Sequence, residues 1–282
     1  MARSTSGYSF GMRNAVSAVK PHNPSSEGPK YRGEALAKGL KVLGLFSTSR
    51  PSMRVTDIAR EAGYPMPTTF RLVTTLEQEG FLERTPDGSV RPGTGVLALG
   101  FAALQGLDLL QTSAVELDHL AKATGGTVNL GVLTGDQVLV VARVQAYPTA
   151  LASNIRVGST VPAVFSSIGK VLLAFLSDDE FAKTISRSSF AGNWGPKAVQ
   201  SIPLLRAQLA TVRVDDFIVQ EEEAIPGLSS VAGPIRDASG ELVAGLNVAV
   251  AAGLYDRERL LAEICGPVVE SCRIISTRLG WG

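Results

Sequence analysis

In MPTTFRLVTTLEQ, residues 66–78, hydroxyl and guanidinium groups recur at helical spacing: Thr68, Arg71, Thr74 and Thr75. Thr69, Leu72, Val73 and Leu76 fall on the other side of the 3.6-residue period, so the polar groups, with Gln78, are turned outward. A guanidinium in such a row can read the O6 and N7 edge of guanine, and threonine can touch a thymine methyl or a phosphate. A second candidate lies in FSSIGKVLLAFL, residues 165–176, where Ser166 precedes an apolar helical run. A serine there fits an N-cap, and the N–H groups and positive dipole end of a helix start through Gly169, Lys170 and Leu173 suit a carboxylate.

The elements around the first group are those of a reading head. Val55, Ile58, Ala59 and Ala62 line one face of a preceding helix over 55–62, and Gly63 stands where a tight turn needs a residue without Cβ. Pro67 suits the first turn of the second helix, over 67–79, because its missing N–H needs no partner there. The layout is a helix-turn-helix, whose second helix enters the major groove. A third helix is expected over 34–47. FLERTPDGSVRPG then reads as a hairpin with Asp87-Gly88 at its tip, a wing that carries Arg84 and Arg91 near the DNA backbone. The competing reading is an ordinary helical hairpin with a solvated face. Residues 34–95 hold eight Lys/Arg against seven Asp/Glu, so this head is nearly neutral. Specific binding then needs two copies of it, or help from a basic tail.

Such a tail is present. Residues 1–33 are rich in Ser, Gly, Pro and Asn and hold five Lys/Arg against Glu27, a composition that reads as disordered. Residues 94–126 read as largely helical and apolar on more than one side, as if buried against another chain. Beyond Thr127 the period changes: TVNLGVL and QVLVVARV flank a Thr-Gly-Asp turn, and FIVQEEE, LSSVAGPIRD and ELVAGLNVAVA follow as strands. Helices are expected over 166–176, 199–213 and 256–279. The second half is therefore mixed, with an antiparallel sheet.

With 282 residues and 45% hydrophobic side chains, the chain can bury a sizeable core in about two domains. Its net charge of +1 excludes a general affinity for nucleic acid, so any DNA-binding charge is local. Cys265 and Cys272 share a helix face at a spacing too long to bridge, and read as buried thiols. No apolar run reaches a membrane span of about 18 residues, and the start lacks a signal-peptide core, which points to the cytoplasm. Catalysis finds little support. Only His22 and His119 could serve a hydrolase built on Ser166. The segment before Lys170 is not a phosphate loop, because Val164 replaces the needed glycine and Val171 follows the lysine. No cluster has metal-ligand spacing, no cofactor is expected, and Glu221–Glu223 reads as a solvated face or subunit contact.

The ordered blocks resemble the IclR family of bacterial transcription regulators over about residues 35–280. ALAKGLKVLGLF and VTDIAREAGYPMPTTFRLVTTLEQEGFLER carry the resemblance at the N-terminal end. VGSTVPAVFSSIGKVLLAFL and LRAQLATVRVDDFIVQEEEAIPGLSSVAGPIRDASGELVAGLNVA carry it further on. LGFAALQGLDLLQTSAVELDHLA with NIRVGSTVPA further resembles the branch that controls protocatechuate and para-hydroxybenzoate breakdown. The resemblance implies an α+β protein: an N-terminal winged helix-turn-helix domain, a linker helix, and a C-terminal effector-binding domain with a curved antiparallel sheet. The corresponding boundaries are a tail over 1–33, the DNA-binding domain over 34–93, the linker over 94–110 and the effector domain over 111–282. The partners it implies are a double-stranded operator, a second copy or a tetramer, and a small organic acid.

By the same resemblance Ser167, Ile168, Gln220, Leu228, Ser230, Asn247 and Ala249 line the effector cavity. An aromatic carboxylate is expected between the Ser166–Gly169 helix start and the strands bearing Ser230 and Asn247. Main-chain N–H groups and the Ser166 or Ser167 hydroxyl would hold it, with its ring against Phe165, Ile168 and Leu228. This chain departs from the family pattern at Pro67, at Ser167-Ile168 in place of Gly-Ala, and at Ser230 in place of Cys. Those changes alter the size and polarity of the pocket, so a relative's effector does not transfer. A ligand-binding module that has lost DNA recognition is the alternative from another class.

Overall fold

The computed structural model describes residues 33–47, 50–105, 108–146 and 155–282, so the expected basic tail lies outside the described residues except for Gly33. Three helices open the chain: α1 (Glu34–Leu43), α2 (Val55–Ala62) and α3 (Met66–Gln78). The first is shorter than the pattern over 34–47 suggests, because the Gly44 N–H closes onto the Leu40 carbonyl and the chain then turns away. Gly63 ends α2 at φ 71°, a left-handed conformation that disfavours a side chain. Pro67 lies in the first turn of α3.

The wing consists of two three-residue strands, β1 (Leu82–Arg84) and β2 (Val90–Pro92), in antiparallel register. Met53 bridges to Val90, which ties the wing to the entrance of α2. Val42, Met53, Ile58, Val73, Leu82 and Val90 form one core beneath these elements. The apolar stretch that follows forms α4 (Thr94–Gln105) and α5 (Asp108–Thr124).

A six-stranded antiparallel sheet makes up most of the rest. Its strands are β3 (Thr127–Thr134), β4 (Gln137–Gln145), β5 (Thr160–Pro162), β6 (Ile218–Glu221), β7 (Leu228–Arg236) and β8 (Leu242–Ala251). Their spatial order is β5-β4-β3-β8-β7-β6. Register shifts at Leu130/Gly131 and Ile235/Arg236 are bulges, which bend the strands and add to the curvature of the sheet. On one side α5 and α10 (Gly266–Arg278) bury Leu117, Leu120, Val128, Leu246, Val268 and Ile275. The last helix follows α9 (Arg257–Arg259) and a π-turn, Leu260–Cys265, and both Cys265 and Cys272 are buried free thiols.

On the other side lie α6 (Ser167–Ala174) and α8 (Ile202–Asp215), with the short α7 (Asp178–Thr184) between them in sequence. The helix α6 sits very close to the sheet. Gly131 and Gly245 are in register, and a Cβ built on Gly245 would come within 2.9 Å of the Ile168 side chain. This pair of bare positions brings the start of α6 down onto the sheet, where the polar groups described next converge.

Candidate nucleic-acid interface and effector cavity

The buried face of α3 carries Thr69 and Val73, and the Thr69 hydroxyl donates to the Pro65 carbonyl. Opposite them Arg71 and Thr75 are exposed, while Thr68 and Thr74 are half-buried. Thr68 shares its i, i+4 row with Leu72 and Leu76, so it lies at the margin of the outward face rather than its centre. The Thr75 hydroxyl donates to the Arg71 carbonyl at 3.0 Å. Sequence reasoning sorted Phe70 and Met66 into neither face, yet Phe70 is 54% and Met66 46% exposed.

Charge on this head is mostly spent within it. Arg84 on the wing pairs with Glu77 of α3 at 2.9 Å, and Arg91 pairs with Glu83 across the hairpin. Arg50 pairs with Glu61 and Arg60 with Asp57. Both wing arginines are thus paired with carboxylates in the structure, and a phosphate would have to compete with those partners. Among the described residues no carboxylate pairs with Arg71.

The sheet domain holds a cavity of about 250 Å³. Eight of the expected residues line it: Ser166, Ser167, Ile168, Gln220, Leu228, Ser230, Asn247 and Ala249. Ser166 caps α6 as expected, its Oγ accepting from the Gly169 N–H at 3.3 Å. Phe165 and Gly169 are not part of the lining. The Phe165 ring is packed away from it, stacked on Trp194 at 4.8 Å between centroids and edge-on to Phe190. Only its carbonyl reaches toward the site, accepting from Gln220 Nε2 at 2.7 Å. Gly169 faces the chain before the helix, where a Cβ would lie 2.3 Å from the Ala163 carbonyl oxygen.

Among the lining residues that sequence reasoning did not single out are Asn129 and Arg143. They stand in a cross-strand row, because Asn129 is opposite Arg143 on β4 and opposite Asn247 on β8. Arg143 Nη1 donates to Asn129 Oδ1 at 2.7 Å, and Asn129 Nδ2 donates to Asn247 Oδ1 at 2.8 Å. Asn247 Nδ2 donates in turn to Ser167 Oγ at 3.0 Å, and Ser230 Oγ donates to the same oxygen at 2.9 Å. Arginine can only donate, so it fixes which end of each amide points which way. The direction propagates to Ser167, whose oxygen accepts twice and whose remaining capacity is one O–H donor. Linked bonds running in one direction polarise each other. Burial lowers the Arg143 pKa from its ordinary value, an effect that a nearby anion would offset. The signal in the sequence was an amide and a guanidinium inside β-branched runs, which alternation alone assigns to solvent.

The acidic cluster is not a uniformly solvated face, because one of its three members turns inward. Glu223 is buried and accepts from Lys170 Nζ, itself fully buried on α6, and from the Val199 N–H. Desolvation lowers the Lys170 pKa, and the attraction of Glu223 opposes that shift. Glu221 instead pairs with Lys197 at 3.2 Å, and Glu222 accepts from the Gly227 N–H. Among the described residues no group of three or more His, Cys, Asp or Glu is placed to hold a metal ion. No described helix is long and apolar enough to cross a membrane.

The chain thus joins a helix-turn-helix head to a sheet domain with its own cavity, the parts of a ligand-responsive DNA-binding protein. Residues 35–86 match the IclR helix-turn-helix domain, and residues 101–277 match the domain described as bacterial transcriptional regulator IclR C-terminal. The chain belongs to the IclR family. It is 27% identical over 261 residues to the HTH-type transcriptional repressor AllR of Klebsiella pneumoniae, covering 91% of this chain and 94% of that one. It is 29% identical over 229 residues to the Pca regulon regulatory protein of Pseudomonas putida, covering 80% and 77%. The structure of an IclR homolog from Microbacterium hydrocarbonoxydans complexed with 4-hydroxybenzoate is 25% identical, with a TM-score of 0.73 over 87% of this chain and 98% of that one.

Proposed function

We propose that this regulator is controlled by a small aromatic carboxylate bound in the sheet-domain cavity, and that it governs an operon for aromatic breakdown in the cytoplasm. The observation that carries the reading is the directed row from Arg143 through Asn129 and Asn247 to Ser167. It leaves a hydroxyl donor at the start of α6, where N–H groups and the helix dipole already favour an anion. Apolar side chains, Val138, Val140, Val161, Ile168 and Leu228, surround that donor and suit a ring. The likeness to a homolog complexed with 4-hydroxybenzoate and to a Pca regulon protein supports the aromatic class.

In this reading Arg71, Thr74 and Thr75 face the bases, with Thr68, Arg84 and Arg91 toward the periphery. The division into a tail over 1–33, a DNA-binding domain over 34–93, a linker over 94–110 and an effector domain over 111–282 belongs to the same proposal. Leu97 and Leu99 on α4 are 61% and 59% exposed, and a second copy of the chain covers them in a dimer. Two heads then read a pseudo-palindrome, which compensates for the near-neutral charge of each. A monomer by light scattering that still binds DNA contradicts this part.

The ligand is tested by calorimetry with 4-hydroxybenzoate, protocatechuate, benzoate and short aliphatic acids, on wild type and Ser167→Leu. Aromatic acids should bind wild type and lose about tenfold or more in the variant, the effect of one hydrogen bond to a charged group. Binding of aliphatic acids alone ends the aromatic reading. Equal binding of every acid to both proteins moves the site elsewhere.

A further inference from the structure

Beside the polar face of α3 runs an apolar flank that the described residues leave largely exposed. Met66, Phe70, Thr74 and Gln78 follow one another at i, i+4 intervals and form one ridge; Pro67, Arg71 and Thr75 form the next. Phe70 is 54% and Met66 46% exposed, on the flank of α3 that runs from buried Thr69 and Val73 round to the outward Thr74 and Arg71. We propose that Phe70, flanked by Met66, is a specificity-determining residue that reads thymine by packing against its C5 methyl group in the major groove. The inference rests on α3 being the helix that enters the groove.

Three features point to this occupant rather than to another protein. The position is that of a reader, since the N-terminal half of a recognition helix meets base edges. The neighbour is Arg71, which no described carboxylate neutralises and which fits a guanine edge beside the thymine. Arg60 of α2 and the two wing arginines are paired to carboxylates, so besides Arg71 only Lys41 and Arg54 of the head face no described carboxylate, few cations with which to grip phosphates indiscriminately. A head so poor in net charge needs contacts at the bases, and the thymine methyl is the apolar group that the major groove offers. Covering it removes apolar surface of both partners from water.

The test starts with the full chain and a randomised duplex library, selected with and without 4-hydroxybenzoate. Each thymine of the selected sequence is then replaced by deoxyuridine, which lacks only the methyl group. Wild type should lose about fourfold in affinity at one thymine per half-site, as expected for one methyl-sized group removed from an apolar contact. Phe70→Ala should bind more weakly and bind both duplexes equally, whereas Phe70→Leu should keep part of the preference. Both variants should keep the melting temperature of wild type, because the ring is not part of the core. The proposal is overturned if no deoxyuridine matters, or if Phe70→Ala still prefers thymine. Failure to select any sequence overturns the assignment of α3 itself, a result distinct from selection without methyl dependence.

Discussion

The helices α3 and α6, which in the proposed function each present groups to a partner molecule, are built in opposite ways. Within α3 only Thr69 and Val73 are buried, no side chain caps its start, and its outward groups stand in water. In α6 every residue from Ser167 to Ala174 is buried, Ser166 caps the start, and Lys170 is fixed to Glu223 inside the protein. The difference follows from what each must meet. A helix that enters a groove gets its shape from one apolar face and leaves the other uncommitted. A helix that ends at a cavity must be held on all sides, so that a few polar groups at its tip keep their direction. Changes in α3 should therefore alter binding without altering stability, and changes around α6 should alter both.

The largest effect is expected at the buried pair. Glu223→Ala leaves Lys170 without its partner and should cost about 3–5 kcal/mol in urea unfolding, whereas Lys170→Met with Glu223→Leu should recover most of it. A loss below about 1 kcal/mol would mean that water reaches the pair, and the contrast with α3 would weaken. Next comes Arg71→Ala, which should weaken binding to the selected operator by about 1–3 kcal/mol and relax base choice at one position. Its unfolding midpoint should match wild type; unchanged binding by gel shift would remove Arg71 from the interface. Ser166→Ala should lower stability by about 1 kcal/mol through loss of the cap, and it should weaken acid binding as the start of α6 loosens. The smallest change is expected for Arg84→Ala, within about 0.5 kcal/mol in stability, because exposed pairs contribute little. If Arg84 leaves Glu77 for a phosphate, the same variant lowers the salt slope of operator binding by about one.

Much of the fold was legible because its elements have one wet face. The pattern Val55, Ile58, Ala59, Ala62 located α2 from its first residue to its last, and Asp87-Gly88 located the tip of the wing. The hairpin of β3 and β4 followed from two β-branched runs around a Thr-Gly-Asp turn. By contrast β5 has three residues and α7 seven, too few for a period to be read. The site was legible where a cap or a family block marked it, as at Ser166 and Ser230. Arg143 and Asn129 were not, since only the register of β3 against β4 and β8 turns two isolated polar residues into one row. Glu223 was misread for a related reason. Its partner Lys170 lies 53 residues earlier, so the run of three glutamates looked uniform although just one of them turns inward. Phe70 was left unassigned, because its place between the apolar and polar rows of α3 does not by itself say whether the ring is covered.

One measurement joins the two regions: operator affinity by fluorescence anisotropy, with and without saturating 4-hydroxybenzoate, in wild type and in Ser167→Leu. An acid-responsive regulator should change its operator affinity by about fivefold or more when the acid is bound, the usual lower range of coupling between two sites. The same acid should leave Ser167→Leu unmoved while that variant still binds the operator. An operator affinity indifferent to every acid of the panel, or a shift that persists in Ser167→Leu, would contradict control of α3 through this cavity.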